Sequence, residues 1–427
     1  MPPESNNSQK SRSEKIDEIL THPLKGSLIF IFILGFIFNA IFSWAQYPME
    51  MIQDGITGLA AFAQKQLPES ALRNLVVDGI IGGVGNVFVF LPQIILLVIF
   101  IGLMEDSGYM SRISFMLDGL MGRLGLSGKA VLPILSGFAC AIPAIMAART
   151  VESLRDRLLI IMLIPLMSCS ARLPVYTLLI SALIPQQTLF GVIQVQGLVL
   201  LGVYFLGFIT ALIIAFIIKF ISGHKNRTQY LIELPPYRWP MLQSLWWRIY
   251  ESGKKFIVNA GSIILAMTII LWFLASYPDS EKLHDDPVSK SYIGKMGHLI
   301  EPVIEPLGFD WKIGVGIITS FAAREVIIST FSTIYNIEAG EGQELVSLKE
   351  ALKSDYRSDG SKVFTPLVGL SLLVFFVYAA QCMSTFAVIK RETKSWLWPG
   401  LMIVYMNTLA YLAAFMVFQG GQMIGYM

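Results

Sequence analysis

Charge is what this sequence has least of: lysine, arginine, aspartate and glutamate make up only 15% of its 427 residues. With 54% apolar residues and a mean hydropathy of +0.62, that scarcity excludes a soluble multidomain protein and fits a polytopic membrane protein. The net charge of +2 gives no electrostatic argument for a nucleic-acid partner, and none is expected. Histidine is also scarce. His22, His224, His284 and His298 all fall in tails or loops, which excludes a histidine-based metal motif. The three cysteines, Cys140, Cys169 and Cys382, lie in apolar segments, so no disulfide framework is expected and soft-ligand or packing roles remain. GLSGK (125–129) lacks the spacing that cradles phosphate, and Ala130 stands where a magnesium-binding hydroxyl is needed. No nucleotide site and no enzyme activity are therefore expected.

What is present is apolar length. Residues 1–26 read as a polar cytoplasmic tail, and the run from Ser27 lacks a cleavage pattern and reads as an anchor. Uncharged runs long enough to cross lie at about 27–46, 86–104, 197–218, 256–276, 365–389 and 398–418. Three more apolar segments are broken. Residues 131–148 hold two prolines and Gly137, 158–184 hold Pro165, Pro174 and Arg172, and 313–335 hold Arg324 and Glu325. Such interruptions free backbone groups that lipid cannot satisfy, so these segments must be buried in protein or line a wet cavity.

The chain also matches itself. Residues 108–147 align without gaps on 291–330, at an offset of 183, with eight identities in forty positions that include Tyr109/Tyr292, Gly125/Gly308 and Lys129/Lys312. Asp118 falls on Glu301, and Cys140 falls on Ala323, beside Arg324 and Glu325. Loop charge orients the two copies. If 131–148 is a re-entrant hairpin, the loop 222–255, with six basic residues against two acids, lies inside, and 277–312, with seven acids against four lysines, lies outside. A full crossing at 131–148 would put the basic loop outside. The hairpin reading leaves three crossings between the copies, an odd number, so the copies are inverted. Inverted repeats with broken helices meeting near the midplane mark transporters. The expected fold class is thus an all-α polytopic membrane protein with two inverted gate repeats. Residues 27–221 form a first membrane half, 222–255 a basic cytoplasmic loop, and 256–427 a second half.

The broken segments supply the chemistry. Thiolate and thioether ligands select softer or borderline cations such as ferrous iron or zinc over magnesium or calcium. Cys140 and Cys169 are the first candidates, with Cys382, Met167 and Glu325 beside them; packing is the alternative role for each. Arg172, Arg324 and Glu325 are charges inside apolar segments, which face a cavity or a partner. Glu325 either pairs with Arg172 or faces a cation path. Gly137, Pro143 and Ser168 are read as shaping the gate. Glu105 and Asp106, in LMEDSGYMSR, follow a crossing and mark either a helix end or the inner mouth.

At these residues the sequence closely resembles the membrane part of the ferrous iron transport protein B family. LMEDSGYMSR, GLSGKAVLPILSGFACAIPAIMAART, PLMSCSARLPVY, SFAAREVIISTFSTIYN and QCMSTFAVIKRETKSW carry the resemblance, which runs from Lys15 to Phe418. The family's Gly-Phe-Gly-Cys-Asn-x-Pro pattern reads here with Ala139 and Ala141 in place of a glycine and the asparagine, so that amide oxygen is absent. The resemblance implies import of ferrous iron across the inner membrane, with the N-terminus cytoplasmic, no permanently bound cofactor, and Cys140 and Cys169 as ligands at the gate. Because the family begins with a GTPase domain, a separate cytoplasmic GTPase is an expected partner, beside membrane lipid and further copies of the chain. The gate repeats also resemble segments of nucleoside carriers, which makes a small organic solute the alternative cargo. A third alternative is the membrane subunit of a two-chain GTPase-dependent complex.

Overall fold

The structure, a computed structural model, describes residues 12–425 apart from 124–127, 185–187, 190–192, 223–236, 238–240, 278–286, 336–343, 357–359 and 361. Gly125, His224, Lys225, Arg227, Arg238 and His284 lie outside the described residues. The regular structure is helical except for one short ribbon, in which Thr188–Leu189 pairs antiparallel with Ile193–Gln194.

Among the described residues, six helical stretches are long and apolar enough to cross a membrane: Leu72–Asp106, Leu154–Leu183, Val195–Ile218, Leu242–Ser276, Pro366–Thr393 and Leu397–Met423. At about 1.5 Å per residue each can span a hydrocarbon layer of about 30 Å. Their packing follows from which residues recur on each side. In Leu397–Met423, Met402, Met406, Ala410 and Ala414 are buried at four-residue spacing, while Leu401, Val404, Leu412 and Met416 are exposed. In Val195–Ser222 the small Ala211 and Ala215 face inward, and Leu201, Phe205, Ile213 and Phe216 face outward. Small inner residues let helices approach closely, and an apolar outer side suits lipid. Pro366–Tyr378 is buried along nearly its whole length, as an all-round apolar helix at the centre of a bundle must be.

Three boundaries differ from the sequence reading. The first helix does not stop near residue 46 but runs from Pro23 to Gln66, through Pro48. The residues after Pro48 are mostly good helix formers, so one lost backbone bond does not end the helix. The expected crossing at 86–104 is preceded by a π-helical stretch, Leu75–Ile81, and the helix Gly82–Val89. The last part of the basic loop is helix: Leu242–Lys255 continues through the π-helical Phe256–Gly261 into Ser262–Ser276. Its exposed Trp246, Trp247 and Tyr250 suit the layer between lipid headgroups and water.

The polar tail is also tied down. Within the helix Arg12–Leu20, Asp17 accepts hydrogen bonds from Arg112 Nε at 2.7 Å and from the Tyr237 hydroxyl at 2.6 Å. Arg112 is buried and lies 3.7 Å from the centre of the Tyr237 ring. Burial pushes the Asp17 carboxyl upward, but the bonds from Arg112 and Tyr237 and the Arg112 charge outweigh it and hold the group below the usual carboxylate range.

Candidate functional site

The helices Tyr109–Arg123 and Tyr292–Ile304 begin 183 residues apart, the offset of the sequence match, and the bonds that follow repeat as well. Asp118 Oδ1 accepts from the Gly128 amide at 2.8 Å; at the equivalent positions Glu301 Oε1 accepts from the Trp311 amide at 3.2 Å. Each carboxylate satisfies an amide where the next helical segment starts, a place with unpaired donors. Gly128 must be glycine, because a Cβ there would lie 2.2 Å from the Ser114 carbonyl oxygen.

Both broken segments then double back. In the first, Val131–Ala139 and Ala141–Ala147 are separated by one extended residue, Cys140, and Pro143 sits in the first turn of the second helix, where proline is tolerated. Lys129 Nζ meets Glu152 at 2.6 Å, although a straight helix would hold those residues about 35 Å apart. In the second, Trp311–Thr319 and Val326–Ile334 flank a non-helical stretch, 320–325. Lys312 binds both oxygens of Asp355, at 2.8 and 2.9 Å, and the Tyr335 hydroxyl binds the same carboxylate at 2.6 Å, so this segment also ends where it began. Both segments therefore double back, as expected for 131–148.

The third break lies between Leu154–Leu163 and Leu173–Leu183, where Met167 and Cys169 are extended. Its freed carbonyls are taken by Arg172, which is buried and donates to Met167 O at 3.1 Å, Pro165 O at 3.0 Å and Ser168 Oγ at 3.4 Å. Ser168 also bonds the Tyr176 hydroxyl at 3.3 Å. Arg172 thus serves backbone oxygens, and no ion pair joins it to Glu325 among the described residues.

A fourth break corrects the sequence reading of 365–389 as one uninterrupted run. The helices Pro366–Tyr378 and Met383–Thr393 are separated by a non-helical stretch, 379–382. No proline or glycine lies in that stretch; tertiary bonds hold it open instead. Arg324 donates to Phe376 O at 3.4 Å and Ala379 O at 3.1 Å, Met383 N donates to Phe321 O at 3.2 Å, and Ala380 N donates to Asn407 Oδ1 at 3.3 Å. The guanidinium takes carbonyls that a helix end leaves unpaired. Arg324 and its neighbour Glu325 therefore have separate tasks.

All four breaks meet at one cavity of about 120 Å³, lined by Cys140, Cys169, Cys382 and Glu325 together with Met167, Arg324 and Gln381. Three cysteines from three breaks thus share one wall. Met167 is buried among apolar residues and lies against Gly137, where an added Cβ would come within 3.3 Å of the Met167 side chain. Among the described residues, no three His, Cys, Asp or Glu side chains form a ready-made metal cluster. These side chains line the cavity without closing a cage.

Two larger cavities adjoin this one. One, of about 240 Å³, shares Ile94, Ile142 and Phe256 with it and is lined by Pro143, Met146, Glu105 and Glu392. There Glu392 accepts from Arg149 at 2.5 and 2.7 Å and from Arg157 at 3.1 Å, while Arg248 holds Glu105 at 2.7 Å and Asp106 at 3.1 Å. Glu105 therefore lines this cavity, and Asp106 stands beside it on the same arginine. The other, of about 290 Å³, shares Leu97 and Ala139 and reaches Lys129 and Thr150. Sequence reasoning missed Gln381, Ser384 and Glu392; the one available signal was a polar pair inside an otherwise apolar run, QCMS.

Comparison with known proteins places this architecture. The gate family described as nucleoside recognition matches residues 87–183 and 257–396, more than half of the chain, and the family described as ferrous iron transport protein B C terminus matches 200–251. A protein of Leptospira biflexa named Fe(2+) transporter FeoB is 48% identical over 98% of this chain, and one of Campylobacter jejuni with the same name is 33% identical over 95%. A Porphyromonas gingivalis protein named as a fusion of Fe(2+) transport protein A and Fe(2+) transporter FeoB is 37% identical over 96%. The chain spans 61%, 65% and 52% of these three relatives, respectively. No solved structure matches. Through its matched gate segments and these relatives, the chain belongs to the ferrous iron transport protein B family, in the membrane-spanning region that carries the gates.

Proposed function

We propose that this chain carries ferrous iron across the inner membrane into the cytoplasm, through the cavity where the four breaks meet. The observation that carries the reading is that Cys140, Cys169 and Cys382, remote in sequence, line one small cavity with Glu325. Cys140 and Cys169 act as soft ligands for the passing cation, Glu325 draws and holds it, and Cys382 adds a third sulfur. Met167, Gly137 and Ser168 shape the passage, and Arg172 and Arg324 keep its breaks open. Iron here is cargo, so a wall of separated donors serves better than a tight cage that would retain it. The corresponding bonds of the two hairpins support an inverted pair of gates, with the N-terminus and the basic loop inside. A cytoplasmic GTPase, a partner resembling transport protein A, and further copies of the chain are the proteins we expect to assemble with it.

A nucleoside cargo is the second reading, favoured by the description of the matching gate family. The size of the central cavity argues against it: about 120 Å³ holds a cation with a few waters, whereas pockets for drug-sized ligands run to about 300–1,000 Å³. Uptake by proteoliposomes tests both. Ferrous iron uptake is expected to be competed by other divalent transition metals and not by nucleosides, and to fall about tenfold or more in Cys140→Ser with Cys169→Ser. Full uptake by that double variant would remove the cysteines from the mechanism, and competition by nucleosides alone would replace the cargo.

A further inference from the structure

The fourth break carries chemistry that the thiols do not account for. Gln381 is 1% exposed and Ser384 is 3% exposed, and both line the central cavity. Among the described residues, neither the amide oxygen nor the amide nitrogen of Gln381 has a hydrogen-bond partner, and the Ser384 hydroxyl has none. Burying an amide or hydroxyl without a partner is costly. Other polar side chains near the breaks are engaged: Arg324 donates to carbonyls, and Ser170 donates to Ala139 O at 2.8 Å. Of the seven buried side-chain atoms without a partner among the described residues, three belong to these two residues of the central cavity.

We infer that Gln381 and Ser384 supply oxygen donors to the passage, beside Cys382, and bind a divalent first-row cation directly or through waters it retains. This rests on the reading of the chain as a cation transporter and adds a determinant of selectivity to it. Sulfur alone favours the softest ions, whereas amide and hydroxyl oxygens suit harder ones. A mixed wall matches a borderline cation, and the neutral dipoles contact the ion without adding a charge that would trap it. Ser384 stands three residues after Gln381, at the start of Met383–Thr393, so one helix start places both groups on the cavity.

The test uses the full chain in proteoliposomes, with ferrous, manganese and cadmium ions as separate probes. Gln381→Leu keeps the volume and removes both polar atoms. Its ferrous iron uptake is expected to fall about tenfold, with thermal melting in detergent unchanged or raised, because an unpaired buried amide has been removed. Ser384→Ala is expected to lower uptake about threefold, and Gln381→Met, which puts sulfur where oxygen was, to shift the cadmium-to-manganese ratio about fivefold or more toward cadmium. Wild-type uptake in Gln381→Leu and an unchanged ratio in Gln381→Met would overturn the inference while leaving cation transport intact. Melting that falls in parallel with uptake in all three variants would overturn it in favour of a packing role. A wild-type chain that moves none of the three ions would overturn the transport reading itself.

Discussion

The two hairpins are alike in their scaffolding and unlike at their tips. Each begins with a carboxylate bonded to the same backbone position, Asp118 to Gly128 and Glu301 to Trp311, and each is clasped by its equivalent lysine, Lys129 or Lys312. At the tip the first has a thiol on one extended residue, Cys140, while the second has a six-residue turn carrying Arg324 and Glu325. The difference teaches that the two segments share a way of turning the chain back on itself and differ in the side chains that stand at each turn. A duplicated tip would have offered two thiols or two carboxylates; the divergent tips bring both kinds of donor to one cavity.

The comparison can be broken most forcefully at Gly128. Gly128→Val would force a side chain into the Ser114 carbonyl and is expected to cost about 3 kcal/mol or more, whereas Trp311→Val, at the equivalent roomier position, is expected to cost about 1 kcal/mol. Thermal melting in detergent measures both, and equal losses would mean that the two junctions are packed alike. The clasps come next. Lys312→Met leaves Asp355, which is 10% exposed, with the Tyr335 hydroxyl but no counter-charge from Lys312, and is expected to cost about 2 kcal/mol. Lys129→Met releases Glu152, which is 65% exposed, and is expected to cost less than about 1 kcal/mol. A larger loss at Lys129 would reverse the order of the clasps.

The smallest effect concerns a bond that only the first copy makes. Arg112 holds Asp17, while its equivalent, Lys295, lies against the Tyr292 ring. Because the Asp17 carboxyl is held below its usual range, its contribution is complete above about pH 4 and is lost as pH falls through the lowered value. Hydrogen exchange in the helix Arg12–Leu20 should therefore rise at acid pH in the wild type, by the equivalent of about 1 kcal/mol or less. In Asp17→Asn that acid step should be absent. A persisting step would assign the loosening to another group.

Much of the architecture was legible because it is local. Pro133, Pro143, Pro165 and Gly137 mark two breaks, the pair Arg324–Glu325 marks a third, and the 183-residue repeat identifies the hairpins as counterparts. The fourth break was not legible, since 365–389 carries no charge, its proline, Pro366, stands at the helix start and not at the break, and the break is opened by Arg324 acting 52 and 55 residues away. For the same reason the partner of Arg172 could not be chosen: carbonyl oxygens leave no trace in side-chain sequence.

By itself the sequence determined that the chain crosses a membrane, where three of its breaks fall, and which sulfur and carboxylate donors stand at them, because hydropathy, proline, glycine and charge act on their immediate neighbours. Only the tertiary structure decided that Cys140, Cys169, Cys382 and Glu325 share one cavity, that two arginines seal freed carbonyls, and that Gln381 and Ser384 are left without partners. Those outcomes depend on groups brought together from distant parts of the chain, such as Arg149 and Glu392, 243 residues apart. Whether a buried polar atom is satisfied is a property of everything around it, which no window of sequence contains.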